Sequence, residues 1–198
     1  MWLKAEEFLA KDKYLGPLVA KYGHCKIRPR PKNKYFIDLV DAIVSQQLSV
    51  KAAATIFKRL EAKVGVIVPE KILAVKDKEL RACGLSWAKV KYVKDLAQRT
   101  EDGQLKIEIL DKLSDEEVAK ELIAVKGIGR WTADMFLVFS LARPDIFPVE
   151  DLGIRKGMVK LTKKEMDKEA LTKFAQTHWQ PFRSIASWYI WRLLDNQA

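Results

Sequence analysis

The segment Gly127-Ile128-Gly129 limits most sharply what this chain can fold into. Upstream, Ser114 with Glu117 three residues on forms a capping box, which starts a helix by satisfying orphan backbone donors. Val118, Leu122 and Val125 then recur on one face, the spacing of an amphipathic helix. Downstream, a second apolar helix is predicted from about Trp131 to Leu141. Two helices joined by Gly-x-Gly make a tight hairpin, because glycine accepts backbone angles closed to other residues. Amide groups exposed at the start of the second helix suit a nucleic-acid phosphate.

The rest of the chain reads as helix after helix. Short helices are predicted at Ala5–Lys11 and Leu15–Lys21, followed by a basic stretch, Lys26–Lys32, in which Pro29 and Pro31 forbid helix. That stretch reads as a linker, with a basic arm on DNA as the alternative. Tyr35–Gln46 places Phe36, Leu39, Val40, Ile43 and Val44 on one apolar face. Ser49 is the expected N-cap of the next helix, with Val50, Ala53, Ile56, Phe57 and Leu60 inward. Pro69–Ala74 is a short helix, Asp77 the expected cap of Lys78–Cys83, and Gly84 its end. Ser86 opens Trp87–Arg99, with Val90, Val93, Leu96 and Ala97 inward and Lys89, Lys91 and Lys94 outward on a solvated face. Ala142–Pro148 is a loop, Glu150-Asp151 starts a helix through about Lys160, and Thr162 or Asp167 caps one running to His178. Pro181 opens a last helix, Phe182–Leu194, where Trp188, Tyr189 and Trp191 by themselves read as core. Val64–Val68 is the only β-like run, and one strand cannot make a sheet, so the expected class is all-α.

Composition narrows the partners. Hydrophobic residues are 48% and charged ones 31%, an ordinary globular balance, and no run approaches the roughly 20 apolar residues of a membrane span. Acids near Met1 stand where a signal peptide would be apolar, so an intracellular protein is expected. Lysine and arginine number 36 against 26 acids, a net charge of +10, which fits either solubility or a polyanionic partner. Cys25 and Cys83, with His24 and His178, are too few and scattered for an iron–sulfur cluster or a zinc site.

Leu122-x-x-x-x-Gly127-Ile128-Gly129-x-x-Thr132-Ala133, followed by Phe147-Pro148-x-x-Asp151, resembles the helix-hairpin-helix (HhH-GPD) DNA glycosylases. Gly129-Arg130-Trp131-Thr132-Ala133 and Asp151-Leu152-Gly153-Ile154-Arg155 look most like the alkylpurine branch, the 3-methyladenine DNA glycosylase II type. The resemblance implies two helical subdomains with the active cleft between them, about 36–141 and about 1–35 plus 142–198. It also implies double-stranded DNA with damaged bases as partner and hydrolysis of the bond to an alkylated purine. A monomer is the default expectation, in the cytoplasm and nucleoid-associated if the source is prokaryotic. The implied DNA contacts are the hairpin residues Gly127, Gly129, Arg130 and Thr132, with Gln47 filling the gap left by the flipped nucleotide. From the residues alone, Gln46-Gln47 is a polar turn. No cofactor is implied beyond a sodium or potassium ion held by hairpin carbonyls in 125–130.

Asp151 is the implied catalytic group. A fixed carboxylate beside a sugar that gains positive charge stabilises the transition state more than the ground state. Asp151 at a helix start is otherwise simply an N-cap. Trp131 stands where relatives that also cut the backbone carry a lysine, so water and not an amine is the expected nucleophile. Trp131 and Trp191 match two pocket tryptophans of the alkylpurine branch, whose indole faces attract a cationic base. Met135, one turn beyond Trp131, stands where some members have tyrosine. A glycosylase for oxidised or deaminated purines is the second reading, and a non-catalytic helix-hairpin-helix DNA-binding protein the third.

Overall fold

The computed structural model describes residues 1–195. The last three residues of the second expected subdomain therefore lie outside the described residues. Among the described residues there are twelve α-helices and no strand: α1 (Leu3–Leu9), α2 (Gly16–Tyr22), α3 (Tyr35–Ser45), α4 (Val50–Val64), α5 (Pro69–Ala74), α6 (Asp77–Ala82), α7 (Trp87–Glu101), α8 (Asp115–Ile123), α9 (Arg130–Phe139), α10 (Leu152–Thr162), α11 (Lys168–Trp179) and α12 (Arg183–Asp195). Two 3₁₀ turns, Lys32–Lys34 and Ile107–Lys112, complete them. The all-α class is as the periodicities predict. The chain divides into two compact units, one of residues 1–29 and 137–198, the other of 30–136.

The 30–136 unit is built on α3 and α7. The predicted face of α3 is buried along its length, Phe36, Leu39, Val40, Ile43 and Val44, each full burial contributing about 1.5–3 kcal/mol. Helix α7 packs on both α3 and α5, with Val90, Val93, Leu96 and Ala97 inward as spaced. Ser49 and Ser86 cap α4 and α7 by accepting from Ala52 N–H and Lys89 N–H. The capping box of α8 forms as read: Ser114 N–H donates to Glu117 at 2.8 Å, and Glu117 N–H to Ser114 Oγ at 3.3 Å.

Three expectations for this unit are corrected. Val50 is 89% exposed instead of inward, because it is the first residue of α4 and has no helical turn before it. Asp77 is the first helical residue of α6 and not its cap; the Glu79 carboxylate accepts from Lys76 N–H at 3.2 Å and takes that role. Lys89 and Lys94 do not lie on a solvated face. Lys89 Nζ donates to the Val44 and Gln46 carbonyls, both at 2.7 Å, and Lys94 Nζ to those of Leu73 (2.7 Å) and Val75 (2.6 Å). Each ammonium satisfies carbonyls at the C-terminal end of a neighbouring helix, where positive charge is favoured.

The unit of 1–29 and 137–198 centres on α12, which packs against α10, α2, α11 and α1. Every residue from Ser184 to Ile190 is buried, as befits a helix enclosed on all sides. Tyr189 spends its hydroxyl on the Gly23 carbonyl at 2.7 Å. Asp167, of the two candidates, caps α11 by accepting from Ala170 N–H at 2.8 Å. Cys25 and Cys83 are separate buried thiols, and burial pushes Cys25 up to about 11, so it stays protonated near neutrality.

Gly157 sets how closely α10 and α12 approach. A Cβ there would lie 2.3 Å from Ile190 Cγ2 and 3.3 Å from its carbonyl oxygen. Gly157→Ala is therefore expected to destabilise the protein by about 1–3 kcal/mol through overpacking, read as a lower urea midpoint with an unchanged m-value.

Candidate active site and hairpin

The hairpin of α8 and α9 has one glycine that nothing else can replace. Gly127 adopts φ +82°, and a Cβ there would stand 2.1 Å from the Tyr92 ring. Gly129 has open space where a Cβ would be, which leaves the start of α9 uncovered for a ligand to approach. The turn closes through Ile128 N–H to the Val125 carbonyl at 3.1 Å and Ala133 N–H to the Gly129 carbonyl at 3.1 Å.

Two supports come from distant parts of the 30–136 unit. Gln46 Nε2 donates to the Gly127 carbonyl at 2.9 Å and lies 3.4 Å from Thr132 Oγ1. Thr132 is only 2% exposed, so its hydroxyl holds the turn from inside. Asp95 on α7 accepts from the Lys126 N–H at 2.9 Å and from Arg99 Nε at 3.0 Å, with Lys126 Nζ at 3.4 Å. Arg130 spans the two arms of the hairpin: Nη1 and Nη2 contact the Glu116 carboxylate, both at 3.1 Å, and Nε contacts Asp134 at 2.9 Å. Gln47 follows directly on Gln46, exposed and with the left-handed backbone of φ +56°. Trp131 is 38% exposed on the first turn of α9, and Met135 is half-buried one turn on.

In the other unit the structure brings Asp151 and Trp191 together. Asp151 is the N-cap of α10: its Oδ1 accepts from Ile154 N–H at 2.8 Å and from Trp191 Nε1–H at 2.9 Å. Gly153 leaves room for this, since a Cβ there would lie 2.9 Å from that oxygen and 3.2 Å from Trp191 Cδ1. Phe139, 43% exposed, lies beside the Trp191 indole with ring centres 5.3 Å apart and planes at 32°.

The loop that delivers Asp151 is braced on α12. Arg183 grips Asp145 bidentately, Nε to Oδ1 at 2.7 Å and Nη2 to Oδ2 at 2.9 Å. Ile146 N–H donates to Ser184 Oγ at 2.8 Å, Ser184 N–H to the Pro144 carbonyl at 2.9 Å, and Asp151 N–H to the Pro148 carbonyl at 2.9 Å. A carboxylate on a proline-rich loop is thereby set with helix-like definition. Sequence reasoning missed Gln46, Asp95, Phe139 and Gly153 as parts of the site. Gly153 had a signal in the Asp-x-Gly spacing, whereas Asp95 and Phe139 had none, because their partners are remote in the chain.

The model of the HhH-GPD superfamily of base excision DNA repair proteins matches residues 40–181, and the chain belongs to that family. DNA-3-methyladenine glycosylase 1 of Schizosaccharomyces pombe is 37% identical over 83% of this chain and 75% of its own length. The DNA-3-methyladenine glycosylase of Saccharomyces cerevisiae is 34% identical, over 99% of this chain and 80% of its own. Among solved structures, the S. pombe 3-methyladenine DNA glycosylase in complex with abasic DNA superposes with a TM-score of 0.87 at 36% identity, covering 98% of each chain.

Asp95 gives the hairpin a pH signature. Its burial pushes its pKa up, but hydrogen bonds from the Lys126 backbone, Arg99 and the Lys126 side chain outweigh that and hold it below the usual carboxylate range. The stabilisation is then present above the unfolded value of about 3.9 and lost as pH falls through the folded one. Asp95→Asn should melt below the parent at pH 7, and the gap between the two should narrow as the pH is taken below about 4.

Proposed function

We propose that this chain is a monofunctional DNA glycosylase which hydrolyses the N-glycosidic bond of alkylated purines, 3-methyladenine and 7-methylguanine, after rotating the nucleotide out of the duplex. The observation that carries the reading is the Asp151 carboxylate, its Oδ1 held between the Trp191 indole N–H and the Ile154 amide on a braced loop. As the bond to the base breaks, positive charge grows on the sugar, and a carboxylate already fixed in place needs no reorganisation to meet it. The same group can orient the attacking water. The family membership and the names of the relatives support the substrate class.

A purine alkylated at N3 or N7 is a cation and a good leaving group, so no general acid is needed. The exposed Trp131 suits that cation, at up to about 2 kcal/mol once desolvated, with Met135 beside it on α9. Trp191 serves the base and Asp151 together. Trp131 also occupies the position of the nucleophilic lysine of backbone-cutting relatives, while the nearby Lys126 is paired to Asp95. Water is then the nucleophile.

The hairpin amides at Gly127 and Gly129 anchor a phosphate, and Arg130 braces the arms that present them. Gln47 fills the gap in the duplex. A monovalent cation fits the carbonyls of 125–130. The Val125 carbonyl accepts from Ile128 N–H and that of Gly127 from Gln46 Nε2; each keeps a second lone pair, and an uncharged oxygen set suits a singly charged hard ion. Bound there, it would add positive charge facing the phosphate. The protein acts as a monomer on intracellular DNA.

Methylated duplex DNA tests this directly. The parent should release free 3-methyladenine or 7-methylguanine and leave abasic strands intact until alkali is added. Asp151→Asn should lose at least about a hundredfold in rate, about 2.7 kcal/mol of barrier; release at the parental rate would remove the assignment. Trp191→Phe, which keeps a ring but drops the N–H, should lose about tenfold in kcat, with Gly153→Ala behaving alike. A protein–DNA adduct trapped by borohydride would exclude water as the nucleophile.

A further inference from the structure

Lys89 is a charged side chain that the chemistry above does not use, and it stands behind the loop carrying Gln47. Its ammonium bridges the Val44 and Gln46 carbonyls, both at 2.7 Å, at the C-terminal end of α3, where backbone acceptors lack intrahelical partners. Burial lowers the Lys89 pKa, so the contact is made against some loss of hydration. Gln46 is held from the other side as well, its Nε2 on the Gly127 carbonyl at 2.9 Å and near Thr132 Oγ1 at 3.4 Å. One residue is thus tied by its carbonyl to α7 and by its side chain to the hairpin. The next residue, Gln47, projects at φ +56°.

We propose that Lys89 is a positioning residue for nucleotide flipping: through Gln46 it fixes Gln47 against the load taken from the bases that flank the gap. The inference rests on the reading of Gln47 as the inserted residue. Opening a duplex costs a few kcal/mol of stacking and pairing, and a side chain on a loose loop would give way before the bases did. Preorganisation removes that loss, since the ordering is completed before DNA binds. The opposing view is that Lys89 merely caps a helix, and the fold supplies its own comparison. Lys94, on the same helix, bridges the Leu73 and Val75 carbonyls at the end of α5 in the same manner. No proposed site residue stands in the turn directly after α5.

The test is single-turnover release of 7-methylguanine from methylated duplex DNA, with thermal melting of each protein. The variants are Lys89→Met, Lys89→Arg, Lys94→Met, Gln47→Ala and the Lys89→Met/Gln47→Ala double. Lys89→Met should lose about tenfold in rate and Lys89→Arg should recover most of it; in the Gln47→Ala background Lys89→Met should remove nothing further, the mark of residues acting as a unit. Lys94→Met should lower the melting temperature and leave the rate at the parental value. Equal rate losses for Lys89→Met and Lys94→Met, or a Lys89→Met loss that persists without Gln47, would overturn the clamp alone. A parental rate for Gln47→Ala would overturn the inserted-residue reading and the clamp with it. No release by the parent would overturn the glycosylase reading itself. Lys89→Gln takes the place of Lys89→Met in the cycle if the methionine variant does not fold.

Discussion

Each α-helix ends with backbone groups that have no partner inside it, and twelve helices in so short a described chain multiply such ends. How they are satisfied decides where this protein can bind and react. At one end of α10, the Asp151 side chain does the capping and is at the same time the carboxylate that the proposed function sets beside the sugar. At the start of α9, the amides beside Gly129 are left uncovered, which is what a phosphate requires. At the end of α3, the lysine of a neighbouring helix closes the carbonyls and leaves Gln47 at the tip. The same demand, met in three ways, produces the three features on which the proposed function rests.

Capping and the proposed catalytic role are compatible at Asp151 because both ask for a negative group in a fixed orientation. An N-cap aspartate accepts from the backbone two or three residues on, and this sets the carboxylate plane without a dedicated scaffold. The Trp191 N–H adds a second hold on the same oxygen, and Gly153 admits it by having no side chain. The charge on Arg130 works differently. It is divided between Glu116 and Asp134, so it stiffens the hairpin, while the backbone amides present the positive field to a ligand.

Much of the fold was legible in the residues. The spacing of Phe36, Leu39, Val40, Ile43 and Val44 gave the buried face of α3, and Ser49, Ser86 and Ser114 gave three helix starts, because caps and periodicity are local properties. Two of the errors were local too, and the third was not. Val50 was placed inward by extending a periodicity one residue before the helix could support it. Asp77 was read as the cap on residue type, when the reach of Glu79 back to Lys76 decided the boundary. The lysines of α7 were assigned to solvent because charge on a helix face usually is, yet two of them find carbonyls on other helices.

By itself the sequence determined the helices, the glycine hairpin and the carboxylate at position 151, since each depends on residues within a turn or two of one another. It also put Trp131, and not a lysine, two residues after Gly129. Only the tertiary structure decided that Trp191 donates to Asp151, that Asp95 and Gln46 hold the hairpin, and that Lys89 closes the end of α3. Those contacts join residues 31 to 81 positions apart. Their geometry follows from how whole helices pack against each other, which no stretch of neighbouring residues encodes.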